Sequence, residues 1–326
     1  MEQLTIGQND AGQRLDKFLS KTFRNLPPSM MYKGIRTKKI KVNRKRAEIG
    51  QVLAAGDTVE LFLPPDFLAR DAGGELFRHI KPTFGVVYED ENLILCNKPV
   101  GLLCHSDEAG EENTLIEQVK AYLYQKGEYD PETEQSFAPA LCNRIDRNTM
   151  GLVIAAKNAE ALRVLNEKIK KRTISKFYVC RVHGIPAPRE ATLTGYLRKV
   201  AAENKVEIRD HAPRGARGEW KEIVTKYRVL ATEGDEAILE IELVTGRTHQ
   251  IRAHMASIGH PLVGDGKYAE NRADRDRGQY RQALCAYRLR FEEDEPSLLD
   301  GLIGKTFSLP LSSIPFCQTA KKQKNH

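Results

Sequence analysis

Residues 143–151, Asn143-Arg144-Ile145-Asp146-Arg147-Asn148-Thr149-Met150-Gly151, run directly into Leu152-Val153-Ile154-Ala155-Ala156. The polar stretch closed by a glycine reads as a loop, and the apolar run after it reads as a buried strand. One account of such a loop is a turn whose polar groups satisfy one another. The other is a loop that presents Asp146 between two guanidiniums, whose positive charge keeps the carboxylate ionised. An ionised carboxylate suits a nucleophile or an anionic stabiliser and does not suit a general acid.

A second dense segment, Thr245-Gly246-Arg247-Thr248-His249-Gln250-Ile251-Arg252-Ala253-His254, follows the apolar run Ala237–Val244. It opens a short helix, His249–Ile258, closed by Gly259 and Pro261. His249 and Arg252 lie three apart and can share a helix face, while Ile251 and Met255 lie four apart and can bury. A helix start carrying Thr, His and Arg suits a phosphate or a carboxylate. The plain alternative is a capped helix with an exposed polar face.

Outward from these two segments the pattern is rich in strands: Phe84–Tyr88, Asn92–Asn97, Leu152–Ala156, Thr173–Val182, Ile223–Leu230, Ala237–Val244 and Ala283–Leu289. Helices fall between them, one opened by a capping box at Thr114–Glu117 and one capped by Asn158 over Ala159–Lys171. Strands outnumber what a βαβ alternation needs, so the predicted class is α+β with a mixed or antiparallel sheet. Two charge-dense, glycine-containing insertions, Arg209–Glu219 (within 203–219) and Glu270–Arg281, read as exposed loops.

The chain has 326 residues, a length that suits about two domains. It carries 51 Lys and Arg against 44 Asp and Glu, a net charge of +7. Residues 1–64 hold twelve of the basic residues and six of the acids, so this first fifth carries nearly the whole excess. Eight basic residues and no acid lie between Lys33 and Arg46: Lys33, Arg36, Lys38, Lys39, Lys41, Arg44, Lys45 and Arg46. A charge run is ordinarily a solvated face. Here Ile35, Ile40 and Val42 interleave with it, which marks a folded segment and points to a nucleic-acid footprint. Helices are expected over Arg14–Phe23 and from a Ser29 cap through Ile35, with short strands at Ile40–Asn43 and Thr58–Leu63. The expected organisation is a small binding domain at 1–64, a linker at 65–80, a catalytic domain at 81–318 and a basic tail at 319–326.

Several classes are excluded. No nucleotide-binding glycine loop, H-E-x-x-H or G-x-S-x-G sequence occurs. His249, His254 and His260 are spaced by five and six, which does not gather them on one helix face for a metal. The six cysteines lack C-x-x-C spacing and read as free thiols of a reducing cytoplasm. No apolar run is long enough for a membrane helix, and MEQLTIGQND lacks a signal-peptide pattern.

Asn143–Leu152 resembles the H-R-L-D-R-D-T-S-G-L block of the RluA family of pseudouridine synthases. Thr245–Ala269, TGRTHQIRAHMASIGHPLVGDGKYA, is similar to that family's other signature. Between them Lys176-Phe177-Tyr178 resembles its Lys-x-Tyr strand, and Glu89-Asp90 through Asn97-Lys98-Pro99-Val100-Gly101 its opening strands. The resemblance covers about residues 84–290. Its departures from the pattern include Asn143, Ile145 and Met150, where His, Leu and Ser are usual. Arg14–Leu19, Ile40–Asn43 and Gly56-Asp57 resemble the S-four-type RNA-binding domain, which such enzymes often carry in front.

The resemblance implies a pseudouridine synthase catalytic domain that isomerises uridine within RNA. The glycosidic C–N bond breaks, the uracil turns and is rejoined through carbon 5, and no cofactor or metal is needed. It implies that Asp146 is the essential carboxylate, as nucleophile or as base, that Arg252 pairs with it, and that Tyr178 stacks beneath a flipped base. By residue type alone Tyr178 is equally a core aromatic. Arg144 would fill the place of the flipped nucleotide, and Arg147, Arg247, His249 and Gln250 would contact RNA, as would the basic residues between Lys33 and Arg46. A glycosidase also cleaves at an anomeric carbon but needs a second carboxylate, and no second acid is read in either block. The expected partner is RNA, most readily large-subunit ribosomal RNA with transfer RNA as the alternative, bound by a cytoplasmic monomer. The rival from another class is a non-catalytic RNA-binding ribosome-assembly factor that keeps the fold.

Overall fold

The computed structural model describes residues 1–69, 75–107, 110–200, 205–213, 215 and 219–318. The expected basic tail at 319–326, and parts of the expected linker and of the first insertion, lie outside the described residues.

At the N-terminus come β1 (Glu2–Thr5), α1 (Leu15–Thr22), α2 (Pro28–Arg36), β2 (Ile40–Val42), β3 (Lys45–Arg46) and β4 (Thr58–Leu61). The strands form an antiparallel sheet in the order β1-β4-β2-β3. Leu15, Phe18 and Leu19 of α1 and Met31 and Ile35 of α2 share a buried core with Leu4, Ile40, Val59 and Leu61. The expected Ser29 cap does not form. Pro28, with its preset φ and no N–H to satisfy, takes the first helical turn, preceded by Pro27. β1 was not expected; its four residues are too few to show a period and gain their strand geometry from pairing with β4.

Asn43 and Arg44 both adopt positive φ, 52° and 64°, to make the tight turn between β2 and β3. Asn43 is fixed there by donating to Asp57 Oδ1 at 2.8 Å and accepting from Thr58 N at 2.8 Å. The eight basic residues from Lys33 to Arg46 are exposed, Lys41 partly so, and none forms an ion pair among the described residues. Lys41 instead lies over the half-exposed Phe62 ring, 5.3 Å from its centroid.

The rest of the chain builds one large sheet. Its strands are β5 (Gly85–Glu89), β6 (Leu93–Lys98), β7 (Ala140–Leu141), β8 (Met150–Ala156), β9 (Ile174–His183), β10 (Glu190–Val200), β11 (Lys205–Arg209), β12 (Lys221–Glu233), β13 (Glu236–Leu243), β14 (Leu284–Phe291) and β15 (Thr306–Ser308). The order is β11-β10-β12-β13-β9-β14-β8-β6-β5, with β7 on β8 and β15 on β14. Every described pairing is antiparallel except β14 with β8. The helices are α3 (Leu115–Gln125), α4 (Ala159–Lys171), α5 (Gln250–Ser257) and α6 (Arg272–Asp276). The architecture is the expected α+β. Alternating residues divide the sheet between two cores, Val153, Tyr178, Cys180 and Leu239 on one face and Leu152, Ile154, Phe177 and Val179 on the other.

Some local expectations change. Phe77, placed in the linker, is buried at the edge of the first core, 5.6 Å from the Tyr124 ring and 5.8 Å from Tyr129. Thr114 precedes α3 but its hydroxyl caps nothing, and Glu117 pairs with Lys120 instead of closing a capping box. Asn158 does cap α4, accepting from Ala161 N at 2.8 Å. Strand β11 ends where the first insertion begins, and the second insertion contains α6 with Asp274 buried, so the second is not simply an exposed loop.

The two parts of the chain meet through the segment around Asn9–Gln13. Asn9 donates to Glu134 Oε1 at 2.9 Å and accepts from Ala159 N at 3.2 Å, at the start of α4. Buried Asp10 accepts from Ser136 N and Oγ at 3.1 and 2.5 Å. Gln13 donates to Ser136 Oγ at 2.7 Å.

Candidate active site

The one parallel joint among the described strands places the polar loop. Gly151 of β8 lies opposite Ala286 of β14, and Ala286 lies opposite Tyr178 of β9. The loop that ends at β8 therefore emerges beside Tyr178. β13, on the far side of β9, delivers the chain through Thr245–His249 into α5, which brings Arg252 back over the same place. The result is a cleft lined by Ile145, Tyr178, Leu243 and Leu284 as apolar walls, with Asp146, His249 and Arg252 as polar groups.

Arg252 is the hub. Its Nη1 donates to Asp146 Oδ2 at 3.0 Å, while Nε and Nη2 make a two-pronged bond to Asp265 at 2.7 and 2.8 Å. This fork fixes the guanidinium plane and hence the direction from which Asp146 is held. Burial alone would raise the Asp265 carboxyl, but Arg252 and the Lys267 and Tyr268 amides hold it below the usual carboxylate range. Arg252 also lies over the Tyr268 ring, 5.3 Å from its centroid. Because the guanidinium has a complete partner in Asp265, it does not fully neutralise Asp146.

The loop itself is stapled from below. Lys98, wholly buried at the end of β6, donates its ammonium to the carbonyls of Pro99, Leu102 and Arg147 at 3.0, 2.7 and 3.0 Å. Burial pulls this lysine down to about 8, so the three carbonyls do the work of water in keeping it solvated. Gly101 N adds a bond to Arg147 O at 2.9 Å, and Thr149 N closes the turn onto Asp146 O at 3.0 Å. Asn143 accepts from Ile154 N at 2.8 Å and anchors the other end.

Residues 92–257, which contain Lys98, Asp146, Tyr178 and Arg252, match the RNA pseudouridylate synthase family. The chain belongs to that family. It is an RNA pseudouridine synthase. The ribosomal large subunit pseudouridine synthase C of Buchnera aphidicola subsp. Baizongia pistaciae is 31% identical over 275 residues, 83% of this chain and 82% of the relative. That of Vibrio vulnificus is 29% identical over 320 residues, 95% of each chain. The structure of human RNA pseudouridylate synthase domain containing 1 aligns with a TM-score of 0.54 at 23% identity, covering 73% of this chain and 90% of that one, a likeness of fold.

In this synthase Asp146, Tyr178 and Arg252 converge as the resemblance implied. Other placements differ. The guanidinium on Asp146 is that of Arg252, not of its sequence neighbours. Arg147 turns away to Gly101 O at 3.1 Å and Glu111 at 3.0 Å. Arg144 and Arg247 stand exposed on the rim of the cleft. Gln250, expected to contact RNA, is buried with its amide fully occupied. It accepts from Thr245 Oγ1 and Arg247 N at 2.9 and 3.1 Å and donates to Val224 O and Thr225 Oγ1 at 3.1 and 3.0 Å. Its role is to tie the start of α5 to β12.

Asp265 and the supporting Lys98 and Tyr268 were not assigned from sequence, although all three stand in quoted stretches. Asp265 is also the second acid that the reading of the signature blocks overlooked. It is fully buried behind Arg252 and gives no second carboxylate facing the cleft, so the glycosidase alternative gains nothing from it. The one trio of metal-ligand types brought together among the described residues, His183, Glu236 and Asp274, lies outside the cleft lining. Arg277 bridges Glu236 and Asp274 at 3.0 and 2.8 Å, which balances their charge without an ion.

Asp265→Asn is expected to lower stability by ~3–5 kcal/mol, because it leaves a buried guanidinium short of its main partner. It should also lower the single-turnover rate by ~10²-fold through loss of aim at Asp146. Urea denaturation and a single-turnover assay check the two effects separately.

Proposed function

We propose that this enzyme isomerises uridine in large-subunit ribosomal RNA, with Asp146 as its essential carboxylate. The observation that carries the reading is a carboxylate held by Arg252, itself fixed by Asp265, in a cleft walled by Tyr178. A uridine inside a folded RNA must leave its stack to reach such a cleft. Tyr178 stacks on the extruded uracil, a contact worth ~1–3 kcal/mol, and Arg144 on the rim takes the place the nucleotide vacates. Arg247 contacts phosphate from the opposite rim. The names of the relatives support ribosomal RNA as the substrate. A non-catalytic assembly factor has no use for a doubly held arginine behind an open carboxylate, and no observation favours it. The enzyme acts as a monomer in the cytoplasm.

In the same proposal, residues 1–64 form an S-four-type RNA-binding domain whose exposed basic face holds the RNA. The unpaired charges from Lys33 to Arg46 support this, since they are free to displace counterions from phosphates. Replacing Arg44, Lys45 and Arg46 together by Ala is expected to weaken RNA binding and to reduce the salt slope of log K by roughly 2–3, at 0.7–0.9 per lost phosphate contact. Filter binding between low and moderate salt checks it.

The direct test uses large-subunit rRNA labelled with tritium at uridine C5, since joining carbon 5 to the ribose expels that hydrogen into water. Stoichiometric release from this transcript and none from a labelled transfer RNA is the expected result. Release from the transfer RNA alone would assign the enzyme to the other substrate.

A further inference from the structure

We propose that His249 is a catalytic hydrogen-bond donor to carbonyl O2 of the uracil as it detaches, and that Tyr268 is the positioning residue that fixes its tautomer. The inference deepens the reading of Asp146 as the reaction centre and rests on it.

The hydrogen bonds around Tyr268 decide where the proton sits on the imidazole. Tyr268 Oη accepts from Val206 N at 2.9 Å, a contact supplied by the hairpin of β10 and β11. The same oxygen lies 2.9 Å from His249 Nδ1. A phenol has one proton to give, and with its oxygen already accepting from the backbone, that proton goes to Nδ1. The neutral ring then carries its own hydrogen on Nε2. Nε2 lies 3.9 Å from Asp146 Oδ2, too far for a hydrogen bond, and has no other hydrogen-bond partner among the described residues. A donor thus faces the cleft beside the carboxylate with nothing to bind. The backbone supports this aim at some expense, since His249 precedes α5 in the left-handed region at φ 53°.

The groups facing the ring keep it neutral. Burial lowers its pKa first, Asp146 on the β8 loop raises it, Arg252 on α5 and Lys267 lower it, and Asp265 raises it, with a net shift below the ordinary histidine value. A neutral ring leaves the Asp146 charge intact, whereas an imidazolium would pair with it.

When the glycosidic bond opens, its electron pair leaves with the uracil and spreads over N1 and O2. The ribose is compensated either by Asp146 bonding to C1′ or by loss of the C2′ proton to Asp146. On reclosure C5 bonds to C1′ as the Asp146–C1′ bond breaks, or as Asp146 returns the proton to C2′. The C5 proton then passes to solvent and N1 takes a proton. Asp146 addresses the sugar in either route, so an N–H beside it is placed on the base side, within reach of the carbonyl adjacent to N1. A donor aimed at developing negative charge contributes most in the transition state.

The test compares full-length wild type, His249→Phe, His249→Gln and Tyr268→Phe in single turnovers on a large-subunit rRNA transcript made with uridine or with 5-fluorouridine. Loss of the substrate glycosidic bond is followed. Fluorine stabilises the departing anion and lessens the need for a donor. His249→Phe is expected to slow cleavage of uridine by ~10²-fold but of 5-fluorouridine by less than ~10-fold, with RNA affinity little changed. His249→Gln, which keeps a neutral N–H, should recover most of the loss. Tyr268→Phe should move the acid limb of the rate profile to higher pH, because the bond that favours neutral Nδ1 is gone. Equal losses on both substrates, no recovery by Gln, or an unmoved acid limb would overturn the proposal. Asp146→Asn run alongside separates the two readings: if it cleaves normally, the reaction centre itself has been misplaced.

Discussion

Asp146→Asn is expected to lower pseudouridine formation by at least ~10³-fold while leaving the fold and RNA binding near wild type. The amide has the shape of the carboxylate but can neither attack the sugar nor take its proton. The surroundings are arranged so that this loss stays local. Arg252 retains both of its bonds to Asp265 at 2.7 and 2.8 Å, so removing the Asp146 charge does not strand a buried cation. The loop retains the Lys98 ammonium beneath it and the Asn143 anchor at its start. A melting temperature close to wild type with full binding and no product is therefore the signature sought. Asp265→Asn makes the contrast, since it strikes stability and rate together. If both variants behaved alike, the division between an acting and a positioning carboxylate would be wrong.

Gly151→Ala is expected to cost more than ~4 kcal/mol and to yield little folded protein. Gly151 has φ 112°, a region in which an L side chain is strained, and an added Cβ would lie 2.1 Å from Ala286 O and 2.8 Å from Ala286 N. Those atoms are backbone of β14 and cannot swing aside. The site is also the joint that sets Asp146 beside Tyr178, and only Cys285 with Met150 and Ala286 with Gly151 pair across it. Gly56 provides the control, having φ 88° and nothing within 4 Å of a Cβ. Gly56→Ala meets backbone strain without collision and should lose only ~1–2 kcal/mol. Equal losses in urea denaturation would show that the joint yields and that close approach is not what demands glycine there.

Much of the site was legible in the sequence because it lies in short segments whose chemistry is local. The polar loop before an apolar strand and the Thr245–His254 segment mark where Asp146 and Arg252 stand. Their pairing and the place of Tyr178 came from the resemblance to the family, since Phe177 to Cys180 are all buried in β9 and periodicity does not single out Tyr178. What could not be read depends on contacts between distant segments. Asp265 looks like a turn acid until α5 is folded over it, and Lys98 looks like a strand end until three carbonyls converge on it. Gln250 failed for the opposite reason, a polar residue in a polar segment whose amide is used up by β12 and the preceding turn. The fold class followed from strand periodicity, whereas β10 and β11 escaped notice because their charged outward residues mask the alternation. Which strands are neighbours, above all the parallel pairing of β8 with β14, is not encoded in any single segment.

The most direct test maps pseudouridine in large-subunit ribosomal RNA from cells whose chromosomal copy carries Asp146→Asn. The expected result is the loss of one or a few defined pseudouridines, with normal amounts of the variant protein, and their return when the wild-type copy is restored. Retention of every pseudouridine in that RNA would contradict it.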